Sequence, residues 1–400
     1  MASSSLRNRV VLAIVSLLSL GAVYWFVFSG KTPDWFSPEE INDMFQNKKS
    51  DVSVKRVELS EQGISSPYLD RTTLKPVNWD HSGDLIVYNG QHISLTSSGK
   101  HQASNMFSKK PLNAESFEME LTFHLHSKES IMADGMAVWF LEQPSPLGDV
   151  FGVQNNFKGL GIVIDTFRNG VHGDFPLVSA QYSPDPLFYD KNTDGLNTQI
   201  ASCTAKSLVN PASGKTRMRV VHTKNGYLSV DFNYDPDHSG EWHNCFSVMD
   251  VKLPSQSYLG LSAETGQMFE TVDIIESKIF ALYSPDGDHF IESVDELETI
   301  MQQQAPSDEP NNSRDNKRVR KSLLRLRNAE RRIKEQERAY RLEKYGDADA
   351  TFVRRWSSRI FAGLKYALYF FLVIFVVWVV RIFIKTKRSK RSYRSTGLLD

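Results

Sequence analysis

Cysteine is almost absent from this chain of 400 residues: Cys203 and Cys245 are the only two. No further cysteine and no closely spaced histidine accompanies them, which argues against a zinc site built on these thiols. Net charge is missing as well, because 47 Lys and Arg offset 47 Asp and Glu. That balance argues against nucleic-acid binding by the chain as a whole, since neutralising phosphates needs a basic surplus. Between residues 59 and 283 there is no long stretch of helical periodicity. What remains is an all-β region, and 40% hydrophobic content is enough for one large domain with appendages.

Two long apolar runs lie outside that region. Residues 10–28 follow Arg7 and Arg9 and end in Tyr24, Trp25, Phe26 and Phe28. The run reads as a signal peptide or an uncleaved signal anchor within 1–30, and either form delivers the downstream domain to the ER lumen. Residues 366–384, dense in Phe, Val and Ile, read as the body of a transmembrane helix over 360–384. The cluster Lys385, Lys387, Arg388, Lys390, Arg391 and Arg394 makes 385–400 a basic cytosolic tail. Arg354, Arg355 and Arg359 precede the run, so the ER-directed amino end decides the orientation.

Between these ends the composition shifts several times. Residues 31–55 form a linker or a docking helix, whose start at Ser37-Pro38-Glu39-Glu40 has serine at the N-cap and proline at the first helical position. Residues 286–313 form a polar linker with an acidic, helix-prone part at 290–303 and the sequon Asn311-Asn312-Ser313, a lumenal glycan acceptor at Asn311. Residues 314–346 read as a strongly basic helix. In it Val319, Leu326, Ile333 and Tyr340 recur every seven residues with Leu323 between, while Glu330 and Glu337 occupy later d-like positions. That pattern leaves two outcomes open: a coiled coil that makes a homo-oligomer, or a single helix in solvent or on anionic lipid.

Within 56–285 the strand signals are dense. Residues 85–88 and 92–96 flank a tight turn at Asn89-Gly90. Phe117, Met119, Leu121, Phe123 and Leu125 alternate without a break, so one face is buried and Glu118, Glu120, Thr122 and His124 face the other way. Residues 217–223 and 228–234 flank Asn225-Gly226, which predicts a type I′ hairpin turn. Residues 258–263 and 271–282 are further strand candidates. Many strands punctuated by turns predict a β-sandwich.

The stretch from 133 to 195 organises this domain. It contains Ala-Asp-Gly-Met-Ala-Val-Trp-Phe at 133–140, Asn-Phe-Lys-Gly-Leu-Gly-Ile-Val-Ile-Asp-Thr-Phe-Arg-Asn at 156–169 and Tyr-Asp-Lys-Asn-Thr-Asp-Gly at 189–195. Each segment places Asp or Asn where an apolar run gives way to glycine or polar residues, the position from which a β-scaffold presents side chains on loops. Asp165, Asn169 and Asp194 are hard oxygen ligands of the kind Ca2+ prefers, and Asp134, followed by Gly135, is a compact acceptor for a sugar hydroxyl. Taken singly, each Asp-Gly is an ordinary turn and Asp165 a strand cap. Their joint order carries the functional reading.

That order resembles the legume-like (L-type) lectins of the early secretory pathway. The resemblance covers roughly residues 59–283, including Gly-Leu-Ser-Ala-Glu-Thr-Gly at 260–266 and the contexts of Cys203 and Cys245. It implies a legume-lectin jelly-roll β-sandwich, followed by the helical stalk and the transmembrane helix. It also implies a membrane-embedded cargo receptor of the ER, the ER–Golgi intermediate and the Golgi. Such a receptor binds high-mannose N-glycans of glycoproteins through a Ca2+-ordered loop. By the same resemblance Asp165, the Phe167 carbonyl, Asn169 and Asp194 hold Ca2+. Asp134, Asn169, Lys191, Gly266, Gln267 and Met268 meet the sugar, over an aromatic floor from Phe167 or Tyr189. Three positions depart from the family pattern: Lys191 where His is usual, Gln267-Met268 after Gly266, and His101 where a strand Ser is common. The chain also ends Ser-Thr-Gly-Leu-Leu-Asp rather than in a dilysine signal.

In a lumenal domain Cys203 and Cys245 pair as a disulfide worth roughly 3–4 kcal/mol on the chain-entropy model, with two buried thiols as the alternative. Two other functions compete. Glu118 and Glu120, two apart on one strand, could serve a glycoside hydrolase, but no third acid or crowd of tryptophans accompanies them. Alternatively, a degenerate lectin domain could act as a sugar-independent protein scaffold, a reading that Lys191 and Gln267 motivate.

Overall fold

The computed structural model describes residues 36–48, 53–129, 131–170, 173–237, 240–304 and 313–345. The apolar runs at 10–28 and 366–384, the sequon at Asn311 and the basic tail lie outside the described residues. Among the described residues no helix is long and apolar enough to cross a membrane.

Two antiparallel sheets face each other. The larger, eight-stranded among the described residues, runs β13 (His243–Val248), β12 (Leu228–Asn233), β11 (Thr216–His222), β6 (Phe117–His126), β15 (Thr271–Tyr283), β4 (His92–Thr96) and β3 (Ile86–Tyr88), with β1 (Lys55–Glu58) also paired to β15. The seven-stranded sheet runs β10 (Gln199–Thr204), β9 (Leu177–Leu187), β8 (Phe157–Asp165), β7 (Gly135–Leu141), β14 (Tyr258–Glu264), β5 (Ala103–Ser108) and β2 (Trp79–Gly83). The all-β sandwich is as expected.

The core between the sheets follows from the period-2 pattern. Met119, Leu121, Phe123 and Leu125 of β6 meet Met136, Val138 and Phe140 of β7 and Leu160, Ile162 and Ile164 of β8, all fully buried. β7 and β8 are apolar on both faces, because the loop bearing Val150, Phe151 and Val153 covers Ala137, Trp139 and Val163 on the outside. Tyr189 sits in that outer cluster, which anchors the 189–195 turn beside the end of β8. Cys203 and Cys245 are disulfide-bonded, joining β10 to β13 and so one margin of each sheet to the other.

Helices cover the part of the larger sheet's outer face around Val221, Tyr227 and Leu282. α1 (Pro38–Phe45) begins with the expected cap: Ser37 accepts from the Glu40 N–H, and Glu40 returns the bond to the Ser37 N–H. Of the two readings of 31–55, the docking helix is the one that forms. Ile41, Met44 and Phe45 join a second apolar cluster with residues of α2 (Val294–Gln304), which lies inside the stretch expected to be a polar linker. α3 (Ser313–Tyr345) adds Leu326, Ala329 and Ile333 to the same cluster. Of the heptad stripe, for which self-association and a single helix were both open, Leu326 and Ile333 are thus covered by the chain's own domain. Glu337, which looked like a heptad breaker, faces that domain too and accepts from the Met249 N–H at 3.1 Å.

The fold departs from expectation at two places. The 225–226 turn is not type I′, because Gly226 has φ +90° while neither Lys224 nor Asn225 has positive φ. The Gly226 N–H donates to the Thr223 carbonyl at 2.8 Å, so the loop is a turn closed by a glycine bulge rather than a two-residue turn. Glu118 and Glu120 do point outward as predicted, but under α1 rather than into a cleft. Gln46 of the α1 C-cap donates to both carboxylates, Arg56 lies 3.3 Å from Glu118, and Arg217 pairs with Glu120. Glu118 is fully buried, which removes it from reach of a polysaccharide.

Candidate functional site

Cross-strand pairing puts Gly135 opposite both Asp165 and Glu264, so the ends of β8 and β14 and the start of β7 share one rim. Asp134 enters β7 through a cis peptide from Ala133. Its N–H donates to the Glu264 carbonyl at 3.1 Å, and its carbonyl accepts from the Thr166 N–H at 3.0 Å. These bonds tie the loops on either side into one surface.

The 189–195 turn reaches the same rim. The Asp190 carboxylate accepts from the Asn192 N–H at 3.0 Å and starts a single 3-10 turn, after which Asp194 takes φ +52°. That backbone aims the Asp194 carboxylate at the 166–170 loop, where it accepts from the N–H groups of Asn169 at 3.0 Å and Gly170 at 2.8 Å. Asp165 accepts from the Phe167 N–H at 3.0 Å. The two carboxylates are 2% and 3% exposed. Burial first, and the Asp194 charge second, hold Asp165 well above the ordinary carboxylate range. Beside them the buried Tyr189 hydroxyl finds no hydrogen-bond partner among the described residues, and burial followed by Asp165 and Asp194 raises its pKa.

Buried like charges and an orphaned hydroxyl describe a site that a cation would relieve. The buried donors here are all oxygen, the Asp165 and Asp194 carboxylates. They suit a hard divalent ion and not a thiophilic one.

The other half of the rim surrounds Asp134, whose pKa is raised by burial and lowered by Lys191 and His101. A side chain at Gly266 would begin 3.3 Å from an Asp134 carboxylate oxygen, so glycine lets the 265–270 loop close over it. His101 lies in the turn between β4 and β5, not on a strand, and its N–H donates to the Gly266 carbonyl at 3.0 Å. Its ring meets Gln267 Nε2 at 3.1 Å, while Met268 is exposed.

Lys191 is not a free donor: its Nζ bonds both Glu264 oxygens, at 2.7 and 2.8 Å. Glu264 is raised by burial against the pull of Lys191. Glu270, fully buried, accepts from the Thr166 hydroxyl at 3.0 Å and is pushed up to about 8 by burial, against that hydrogen bond. Neither glutamate stood out as a site residue in the sequence, although Glu264 lies inside the Gly-Leu-Ser-Ala-Glu-Thr-Gly motif. Of the two aromatic candidates, Tyr189 is buried beneath the rim and offers no face to solvent. Phe167 is half-buried and lines an open cleft with Ile131, Met132, Phe175 and Pro176.

The family model of the legume-like lectin family matches residues 55–289. The chain belongs to the legume-like lectin family. Among its relatives is the vesicular integral-membrane protein VIP36 of Canis lupus familiaris, 30% identical over 236 residues, which are 57% of this chain and 65% of VIP36. Protein ERGIC-53 of Chlorocebus aethiops is 28% identical over 207 residues, 52% of this chain and 40% of that protein. The chain thus spans less than two thirds of the length of these relatives. The crystal structure of the VIP36 exoplasmic/lumenal domain in its Ca2+- and mannose-bound form superimposes with a TM-score of 0.54 at 30% identity, covering 59% of this chain and 95% of that one. In this legume-like lectin, then, Asp134, Asp165, Lys191, Asp194 and Gly266 lie together at one rim of the smaller sheet.

Proposed function

We propose that this legume-like lectin binds high-mannose N-glycans of glycoproteins in a Ca2+-dependent way, as a membrane-anchored cargo receptor between ER and Golgi. The observation that carries the proposal is the meeting of Asp134 and Asn169 with the buried Asp165–Asp194 pair on one rim. Asp165, Asp194, the Asn169 amide and the Phe167 carbonyl would hold the ion, whose charge would relieve the two carboxylates and fix the 165–169 loop. Asp134 and Asn169 then offer preordered partners to sugar hydroxyls, which compete with water only when their partners are already in place. The Gly266–Met268 backbone closes the other side, Phe167 supplies an apolar face, and Lys191 acts by holding Glu264. The Ca2+- and mannose-bound VIP36 domain supports this reading. The vesicular membrane location in that relative's name supports the anchored topology, with 360–384 spanning and the tail cytosolic.

The test is binding of the full-length chain, in detergent, to a high-mannose glycan panel with Ca2+ and with chelator, alongside Asp165→Ala. Binding that the chelator and the variant both abolish supports the reading. Folded protein that recovers glycoprotein partners equally well under chelator would overturn it in favour of the sugar-independent scaffold.

A further inference from the structure

The outer face of the eight-stranded sheet carries a second constellation, made of residues other than those named at the rim. β15 lies between β6 and β4, and Asp273 is paired directly with His124 on one side and Ser94 on the other. His126 lies two residues beyond His124, and His92 two residues before Ser94, so the period of 2 puts all of them on one face. A register shift between Val272 and Asp273 falls at this point, the kind of bulge that re-aims a side chain.

The result is three imidazoles around one carboxylate. His126 Nε2 is 3.0 Å from one Asp273 oxygen and His92 Nε2 is 3.6 Å from the other. The His124 and His126 rings stack with centroids 4.2 Å apart. Ligand atoms of His124, His126 and Asp273 all lie within 4.8 Å of one another, the one such group among the described residues, and His92 stands at its edge on the other Asp273 oxygen. The Ser94 hydroxyl donates to Asp273, orienting it from behind. Asp273 is nearly buried while the histidines are partly open, so an ion could reach the group.

We propose that His92, His124, His126 and Asp273 form a binding site for one divalent transition-metal cation of the zinc type, separate from the rim. Three imidazoles and a carboxylate are a donor set that suits zinc and discriminates against Ca2+, which takes oxygen ligands. The spacing is near that of a metal site: with metal–ligand bonds of 2.0–2.1 Å, tetrahedral ligand atoms sit about 3.3 Å apart, and His126 Nε2 lies 3.0 Å from an Asp273 oxygen. Hydrogen bonding alone does not need this many rings. Asp273 already accepts from Ser94, and two imidazoles face to face beside a third bring several ring nitrogens within reach of one cation.

The test is a Zn2+ titration of the full-length protein in detergent, in saturating Ca2+, against a chromophoric chelator. The wild type takes up one equivalent that the double variant His124→Asn/His126→Asn lacks. His92→Ala, a surface change, weakens the same equivalent, and Ser94→Ala weakens it about 10- to 100-fold through the carboxylate it orients. Uptake of Co2+ with the visible spectrum of a four-coordinate site, lost in the same variants, is the second readout. Equal Zn2+ stoichiometry and affinity in wild type and double variant, or no uptake by the wild type, overturns the proposal. Neither result bears on glycan binding, because none of these residues touches the rim.

Discussion

Lys191 and Glu264 form one ion pair on the rim. Glu264 is largely buried, and Lys191 supplies two charge-assisted hydrogen bonds to it. Lys191→Ala leaves that carboxylate without its partner and should cost about 1–3 kcal/mol, whereas adding Glu264→Gln should recover most of the loss. Urea denaturation of the four proteins of the cycle measures it. Glu270 sets a pH dependence. Its folded pKa, about 8, lies above the ordinary 4.5, so between those values the folded state binds more protons than the unfolded one. Stability contributed here falls as pH rises through that window. Glu270→Gln should therefore match wild type near pH 5 and exceed it near pH 8, by a few kcal/mol, in denaturation with chelator present. The two glutamates also mark where sequence reading stops. Asp134 and Asp165 flank the apolar runs of β7 and β8, and Asn169 and Asp194 drew notice through the family resemblance of their segments. Glu264 and Glu270 take their meaning from Lys191 and Thr166, partners distant in sequence that only strand pairing brings close.

Among the elements, β6, β7, β8, β14 and β15 were legible because their apolar residues alternate or run unbroken. β9 was not, for a physical reason: its outward Ser179 and Gln181 are buried and satisfied by hydrogen bonds to each other and to Thr198, so polar residues occupy a buried face. The Ser37 cap and Pro38 start of α1 were legible, but the layer that α1 covers was not. Beneath it Asn42 donates to Ser229 at 3.0 Å and to Asp231 at 2.6 Å, and fully buried Arg219 bonds Asp231 at 2.8 Å and Asp43 at 2.9 Å. Removing α1 would expose this layer and the apolar seats of Ile41 and Phe45. A fragment limited to 55–289, the span the family shares, should therefore melt below one spanning 36–304. Ile41→Ala in the longer fragment should cost about 2–5 kcal/mol, and Ser37→Ala about 1 kcal/mol. Thermal and urea unfolding of the set would show it, and equal stability of the two fragments would make α1 an ornament.

At the scale of the molecule, the question is whether α3 belongs to this domain or to a partner helix. A heptad stripe can be satisfied by any apolar surface at the right spacing, so Val319, Leu326, Ile333 and Tyr340 predict burial without saying against what. In the folded chain Leu326, Ala329 and Ile333 are 1–3% exposed against α1, α2 and the β-sandwich. The contact is reinforced by polar groups that a coiled-coil partner would not need. The Phe36 N–H donates to the Arg325 carbonyl at 3.3 Å, the Arg325 guanidinium lies 4.3 Å from the centre of the Phe36 ring, and Glu337 accepts from Met249. Leu326→Ala/Ile333→Ala should therefore lower the unfolding free energy of the folded domain by several kcal/mol, from two core truncations. A coiled-coil role for the same residues predicts the opposite pattern: unchanged unfolding of the β-sandwich and loss of an oligomer on dilution. Denaturation followed by near-ultraviolet circular dichroism, with sedimentation of the same samples, separates the two. Because the stripe residues cannot lie against their own sandwich and a second chain at once, a stable oligomer built on them would require α3 to leave the domain first.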